Sequence, residues 1–237
     1  MQLDFLKYRS FTSENMDNFS LQGEELKTTI SGLSTINKYL GNSNTILKEL
    51  KPLILDSKMP LKIIDLGCGG ADIIREIATY SNRIEKQVHL IGMDGNPHII
   101  NLAKESFKDE KNITFVAADI LDVDFNLPEC DILISTHFMY HFTDQELTTF
   151  LSKHATHIKQ KIIFSELHRN VFSYIGFMLI GFLFRLPKLI TSDGLLAIRR
   201  SFRKKELIEI LAKASVGKSF VKWKWAFRYL VIVERSL

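Results

Sequence analysis

The 237-residue chain has few cysteines, little excess charge and no internal repeat. Its two cysteines, Cys68 and Cys130, cannot build a disulfide framework, and neither lies at metal-ligand spacing from other ligand residues. We therefore expect a reduced setting and no metal. Lysine and arginine total 31 against 27 acidic residues, and a net charge of +4 is too small to indicate nucleic-acid binding, although it favours contact with an anionic surface.

Long apolar segments are also missing. The longest uncharged apolar run, residues 171–184, is too short to cross a bilayer. The first residues lack the apolar stretch and the small-residue cleavage site of a secretory signal. The length fits one α/β domain with added segments better than two domains. We therefore expect a cytoplasmic protein.

Residues 63–72 form the most informative segment, an apolar strand that ends in an acidic residue and then breaks into a glycine-rich turn. Gly67 and Gly69 lack the side chains that would keep a ligand away from the backbone. The helix predicted to begin at Asp72 directs its free amide groups and positive dipole end to the same place. The turn therefore predicts a nucleotide-like ligand.

Three further apolar strands narrow the choice of ligand. They cover residues 88–93, 113–118 and 131–136, and Asp94 and Asp119 follow the first two. A carboxylate at the tip of the second strand can accept hydrogen bonds from both ribose hydroxyls. Because strands and helices alternate here, the segment predicts a parallel sheet covered on both faces.

With these segments, the chain resembles the class I S-adenosylmethionine-dependent methyltransferases over residues 60–170. The resemblance implies a Rossmann-like α/β fold with a seven-stranded, mostly parallel sheet and an antiparallel last strand. It also implies a helical lid over residues 1–58, a methyltransferase domain over 59–237 with a substrate-cap insertion over 168–202, S-adenosyl-L-methionine as cofactor and S-adenosyl-L-homocysteine as product. The implied cofactor-binding residues are Asp65, Gly67, Cys68, Gly69, Asp94, Gly95, Ala118, Asp119, Ile120 and Thr136.

Two residues of the turn bear on the competing interpretation, a dinucleotide-binding dehydrogenase. The third glycine of the methyltransferase pattern is Ala71 here, the smallest replacement, and we expect a tighter turn that still binds. A dehydrogenase needs glycine at the position of Asp72, where an acidic side chain would repel a pyrophosphate. S-adenosylmethionine has no phosphate and carries sulfonium and ammonium charges, which acidic neighbours favour.

Histidines follow two predicted strands, residues 131–136 and a fifth strand at residues 161–167, whose carboxyl ends face the ligand crevice in such a sheet. Methyl transfer to an alcohol, a phenol or an acidic carbon requires removal of a proton. We predict the base among His141, His137 and His168, unless alignment alone suffices. The candidate substrate-binding residues are Arg9, Tyr140, Arg169, Asp193 and Arg199.

A second, shorter resemblance concerns the acceptor. Residues 14–17, 36–41 and 191–202 resemble a bacterial subgroup that is associated with phenolic or polyketide-derived small molecules. This resemblance implies a small aromatic or lipid-like acceptor that is methylated at oxygen. Carbon methylation of a quinone-type precursor and a non-catalytic, cofactor-binding accessory protein remain the alternatives.

The apolar run at residues 171–184 has two interpretations. It can form a buried helix that caps the substrate pocket, or an interfacial element with peripheral membrane or lipid-substrate contact through residues 171–190. In the second case, anionic headgroups could be held by nearby basic residues: Arg185, Lys188, Arg199, Arg200, Arg203, Lys204 and Lys205.

Helices and a hairpin are predicted around these segments. Apolar residues at three- and four-residue steps predict a helix before Gly41, at Leu26, Ile30, Leu33, Ile36 and Leu40. A capping box from Thr143 to Glu146 predicts a helix that runs to about residue 157. Residues 220–226 and 227–234 predict two strands with aromatic side chains on one face, which we assign to the sheet and not to stacking on nucleic acid.

Overall fold

The computed structural model describes residues 4–17, 22–39 and 41–235, so the predicted apolar position Leu40 lies outside the described residues. The helices in these ranges are α1 (Gly23–Tyr39), α2 (Asn42–Asp56), α3 (Asp72–Arg83), α4 (Pro97–Ser106), α5 (Asp144–His154), α6 (Val171–Leu183), α7 (Lys188–Arg200) and α8 (Lys204–Ala214). The strands are β1 (Leu61–Leu66), β2 (Val88–Asp94), β3 (Ile113–Ala117), β4 (Cys130–Thr136), β5 (Ile158–Leu167), β6 (Lys218–Lys224) and β7 (Arg228–Glu234).

The strands form one seven-stranded sheet in the order β3-β2-β1-β4-β5-β7-β6. The neighbours from β3 to β5 are parallel, whereas β7 is antiparallel to both β5 and β6. This arrangement confirms the predicted Rossmann-like fold. It also brings the carboxyl ends of β1 to β5 to one edge of the sheet, where the predicted ligand residues lie.

Apolar clusters cover both faces of the sheet, which is why the central strands are apolar along nearly their whole length. On one face, Leu50 of α2, Ile77 of α3 and Ile100 of α4 belong to the same buried cluster. On the other face, Leu147 of α5 packs in a cluster with Leu207 of α8. α2 thus belongs to the sheet core, although the sequence assigned it to the lid, and the predicted boundary near residue 58 stays a prediction.

The capping box that was predicted for α5 is present. The Thr143 side chain accepts from the Glu146 backbone N–H at 3.2 Å, and the Glu146 carboxylate accepts from the Thr143 N–H at 2.7 Å. The helix ends at His154 and is followed by a short 3-10 turn over Ala155–His157. The local start signal was therefore sufficient, whereas the end of the helix was predicted a turn too late.

The apolar run forms α6, and the expectation that this helix is buried is wrong for its outer face. Phe172 is 73% exposed and Phe182 is 80% exposed, whereas Ser173 and Gly181 are buried. The small residues face the protein and the large ones face outward, which an all-apolar sequence cannot reveal. Among the described residues, no helix has both the length and the apolar character that crossing a membrane would require.

The predicted antiparallel pair β6 and β7 is present, but its aromatic residues do not share one strand face. Trp223 lies opposite Tyr229, whereas Trp225 and Phe227 lie in the turn at residues 225–227. The predicted strands left no residues for a turn, and a hairpin needs them. The turn carries Trp225 to the surface, where it is 70% exposed.

Candidate functional site

A cavity of about 670 Å³ lies at the carboxyl ends of the strands. One side of the cavity is lined by the glycine turn after β1, the ends of β2 and β4 and the loop after β3. Residues of α1, including Ile30 and Leu33, and of α7, including Ala197 and Ile198, line it from the other side. The cavity is therefore enclosed by the sheet edge, the first helix and the insertion after β5.

The glycine turn presents its backbone to this cavity. Gly67 and Gly69 have φ values of 68° and 48°, in the left-handed region that glycine tolerates. A Cβ on Gly69 would meet no atom within 4 Å, so it would project into open space where a ligand can lie. Ala71 also adopts the left-handed region, with φ 59°, so the turn keeps its path where the family has a third glycine.

Two carboxyl groups flank the turn. Asp65 is buried at the end of β1, and burial, followed by the like charge of Asp94, raises the pKa of its carboxyl group to about 8. Burial also raises the pKa of Asp94, although the N–H groups of Gly69 and Asn96 donate to its two oxygens at 3.1 and 2.9 Å. Neighbouring buried carboxyl groups favour a cation in the cavity. The sulfonium and ammonium groups of S-adenosylmethionine fit that demand.

All of the predicted cofactor residues except Ala118 line this cavity. Nine of the ten line it: Asp65, Gly67, Cys68, Gly69, Asp94, Gly95, Asp119, Ile120 and Thr136. The tenth, Ala118, instead donates its N–H to the Asp94 carbonyl at 3.0 Å. The Thr136 hydroxyl is buried and has no partner among the described residues, so it is available to a ligand.

Two of the three predicted base candidates face the cavity. His137 and His141 line it, whereas the ring of His168 packs on Tyr229, with the ring centroids 4.6 Å apart, and is not part of the lining. Burial, with a smaller contribution from Arg228, lowers the pKa of His137 to about 3. Its Nε2 atom is buried without a partner among the described residues. His137 is therefore a neutral ring with a free nitrogen.

His141 belongs to a charged network at the C-terminal end of α7. Arg200 Nη1 donates to Glu14 Oε1 at 3.2 Å and to Asp17 Oδ2 at 2.8 Å. Its Nη2 lies 3.1 Å from His141 Nδ1, and Asp17 Oδ1 lies 3.4 Å from the same nitrogen. Burial, followed by the charge of Arg200, lowers the pKa of His141 to about 4.

The same network contains a potential set of metal ligands. Ligand atoms of Glu14, Asp17 and His141 lie within 4.8 Å of one another. Arg200 already supplies a positive charge to both carboxylates. Burial nevertheless raises the pKa of Glu14 to about 8, since it outweighs the opposing effect of Arg200. The network ties the segment before α1 to α7 across the cavity.

The predicted substrate residues have mixed positions. Tyr140 and Asp193 line the cavity, but Asp193 accepts from the backbone N–H groups of Asn15 and Met16 at 3.1 and 3.0 Å. The Tyr140 hydroxyl donates to Glu14 at 3.2 Å. Both residues therefore hold the N-terminal segment over the cavity.

The three predicted substrate arginines do not line the cavity. Arg9 is buried and donates to the carbonyls of Tyr140, Phe142 and Arg200 at 2.7–2.9 Å, and it pairs with Asp144. Arg169 is also buried and donates to backbone carbonyls of the N-terminal segment and to Glu206. Arg199 lies over the Phe5 ring, 5.6 Å from its centroid. These contacts position backbone segments, and any contact with substrate stays a prediction.

Sequence reasoning missed two buried charged residues that shape the site. Glu166, on β5, accepts from the N–H groups of Phe138 and Met139 at 3.1 and 2.9 Å and so holds the segment that carries both histidines. Arg200 links that segment to the N-terminal residues. An acidic residue in the buried second half of β5, shortly after Ile162, Ile163 and Phe164, was a usable signal for Glu166. Nothing local distinguishes Arg200 from its basic neighbours.

Known proteins with similar sequences and folds agree with this geometry. Residues 63–161 match the family described as methyltransferase domain. Over 81 residues, the chain is 30% identical to carboxy-S-adenosyl-L-methionine synthase of Helicobacter pylori, an alignment that covers 34% of this chain and 32% of that protein. The match thus spans about a third of that curated relative.

The fold is similar to those of two solved methyltransferases. Magnesium protoporphyrin IX methyltransferase from Synechocystis PCC 6803, with bound SAH, has a TM-score of 0.58 and 17% identity, over 85% of this chain and 87% of that chain. Human N-acetylserotonin methyltransferase in complex with SAM has a TM-score of 0.59 and 17% identity, over 99% of this chain and 65% of that chain. The methyltransferase-domain match over residues 63–161 and the seven-stranded Rossmann-like fold are consistent with a class I S-adenosylmethionine-dependent methyltransferase.

Proposed function

We propose that the protein transfers the methyl group of S-adenosylmethionine to an oxygen atom of a small aromatic or lipid-like acceptor. One observation carries this proposal: the acidic glycine turn and the two neutral histidines line the same cavity. The turn supplies the charges and the open backbone that the cofactor needs. The histidines stand on the segment after β4, and we place the acceptor beside them.

The cofactor, when bound, supplies a methyl group on a sulfonium leaving group. Asp65, the backbone at Gly69 and Asp94 would hold it, and Asp119 and Ile120 would contact its adenine side. Much of the rate enhancement then comes from aligning the acceptor oxygen with the methyl carbon and excluding water. α1 and α7 enclose the cavity and so serve both purposes.

The remaining walls favour an apolar acceptor. Phe11, Phe138, Leu167 and Phe177 line the cavity, and apolar atoms dominate its surface. An aromatic or oily molecule would gain from burial against these side chains. The resemblance to enzymes of phenolic and polyketide-derived products agrees with such an acceptor, and the unpartnered Nε2 of the neutral His137 ring can hydrogen-bond the acceptor hydroxyl and hold it in line.

Two measurements test the proposal. S-adenosylmethionine and S-adenosylhomocysteine should raise the melting temperature, NAD should not, and Asp94→Asn should abolish the shift. Asp109→Asn, on an exposed residue outside the cavity, is the matched control and should keep it. Stabilisation by NAD alone would overturn the cofactor assignment.

The acceptor is tested with labelled S-adenosylmethionine on phenols, alkylresorcinols and quinols. Mass spectrometry of the product separates an O-methyl ether from a C-methyl compound. We expect the ether. A C-methylated quinol would favour the alternative reaction, and cofactor binding without transfer to any of these classes would favour an accessory protein.

A further inference from the structure

α6 packs on the protein through small residues and exposes its large apolar side chains, whereas a surface helix normally buries its large apolar side chains. The face against the protein carries small residues: Ser173 and Gly181 are buried, and a Cβ on Gly181 would stand only 3.0 Å from the Thr191 side chain of α7. The ring of Phe177 packs directly on Gly194 of α7. These close contacts fix α6 on α7 without using its large apolar side chains.

Those large side chains point outward. They recur at helical steps along one side of α6 and continue past its end, with exposed fractions between 41% and 80%: Phe172, Ile175, Met178, Leu179, Phe182, Leu183 and Phe184. A helix of a soluble protein normally buries such a stripe. A contiguous exposed apolar surface of this kind marks a place where something binds.

Two other segments extend this surface with aromatic rings. The Phe5 ring lies 5.1 Å from that of Tyr174 of α6. Phe227, in the β6–β7 turn, lies 3.9 Å from the position a Cβ would take on Gly176 of α6 and 5.6 Å, ring to ring, from the exposed Trp225. Tryptophan at the rim of an apolar surface is typical of a lipid interface, where one part of the ring is apolar and another is hydrated.

The segments that carry α6 and the β6–β7 turn contain basic residues and no acidic ones. No aspartate or glutamate occurs in residues 168–192 or 210–233. Arg185 and Lys188 are exposed immediately after α6, and Lys222 is exposed on β6. Exposed basic residues beside an apolar face attract anionic headgroups.

We infer that α6, with Phe5 and the β6–β7 turn, docks onto an anionic lipid surface. A second copy of the chain fits less well, because a symmetric dimer through this face would bring the same basic residues together without acidic partners. The inference does not rest on the proposed methyl transfer. It does place the cavity one helix away from the lipid, since Phe177 of α6 lines the cavity on its inner side.

Vesicle co-sedimentation of the full chain tests the inference. The wild-type protein should bind phosphatidylcholine vesicles that contain phosphatidylglycerol, bind pure phosphatidylcholine vesicles weakly, and lose part of its binding at high salt. Phe182→Glu should weaken binding about tenfold or more, because it removes a large apolar side chain from the interface and adds a negative charge. Melting curves without vesicles check that the variant is folded.

Met59→Glu is the matched control. Met59 is 75% exposed and precedes β1, at the end of the sheet opposite to α6. The substitution therefore adds the same negative charge far from the proposed lipid-binding surface. This variant should bind vesicles as the wild type does. Absence of vesicle binding by the wild type, or equal binding by the Phe182→Glu variant, would overturn the inference. So would a dimer in sedimentation velocity that Phe182→Glu dissociates while no vesicle binding is seen.

Discussion

Nη2 of Arg200 lies 3.1 Å from Nδ1 of His141. A guanidinium nitrogen can only donate a hydrogen bond, so this contact requires a lone pair on Nδ1, and the proton of the neutral ring is then on Nε2. Such a ring can donate to an acceptor oxygen but cannot take its proton. Asp17, at 3.4 Å from the same Nδ1, would favour the opposite tautomer through a longer contact.

The first prediction follows from this tautomer. His141→Gln, whose amide can donate from a similar place, should keep methyl transfer within about tenfold of the wild type, whereas His141→Ala should lose about a hundredfold. His168→Ala, on a ring outside the cavity lining, is the control and should change little. Equal losses in the glutamine and alanine variants, measured as kcat/KM, would instead assign His141 as the base.

The second prediction concerns the space above Gly69. Gly69→Ala should abolish the thermal shift that S-adenosylmethionine causes, because the added Cβ would occupy the open space at the turn. Gly41→Ala is the matched control, since Gly41 also has a positive φ (68°) and open space around it but does not line the cavity. Both changes should cost about 1–2 kcal/mol of stability through left-handed strain. Retained cofactor binding in the Gly69→Ala variant would contradict the proposed position of the ligand.

The third prediction concerns the acidic turn. The pKa of Asp65 is raised to about 8 from an ordinary 3.8, so the folded protein keeps a proton that the unfolded chain releases above pH 4. Its contribution to stability is therefore present below about pH 4 and is lost as the pH rises towards 8. Asp65→Asn should make the cofactor-free protein more stable than the wild type, increasingly so from pH 5 to pH 8.

Urea unfolding at both pH values measures this effect, and calorimetry measures the accompanying loss of affinity. We expect Asp65→Asn to weaken S-adenosylmethionine binding about a hundredfold, because an asparagine cannot ionise to pair with the bound cation. Asp109→Asn should change neither quantity. Equal stability of wild type and Asp65→Asn at pH 8 would show that the carboxyl group is already compensated in the absence of cofactor.

The fourth prediction concerns Arg9, which holds three backbone carbonyls. Arg9→Lys should lower the free energy of unfolding by about 3 kcal/mol, because one ammonium group cannot reach all of them and buried acceptors are left without donors. Arg83→Lys, on an exposed residue of α3, should change it by less than about 0.5 kcal/mol. Similar unfolding midpoints for both variants would mean that water replaces the lost contacts.

The cofactor side of the site was predictable because its signals are local. A strand, an acidic residue and a glycine turn stand within ten residues, and Asp94 occupies the same place after the next strand. Because these strands are parallel, the sheet brings their carboxyl ends to one edge. Nine of the ten predicted cofactor residues accordingly line one cavity.

The acceptor side was less predictable because its contacts are long-range. Arg200 donates a hydrogen bond to Glu14, which is 186 positions away in the sequence. No local sequence pattern predicts such a pair. His168 follows a strand as predicted, but its ring packs on Tyr229 and not on the cavity. For α6, an apolar sequence on every side gave no means of deciding which face is exposed.

The position of β7 between β5 and β6 has a consequence for synthesis of the chain. β6 pairs with β7 and not with β5, so neither β5 nor β6 can complete its hydrogen bonds until residues 228–234 have left the ribosome. Until then, β5 offers an open edge, and unpaired strand edges promote aggregation. A nascent chain that pauses before residue 228 therefore exposes a strand edge that the folded protein covers.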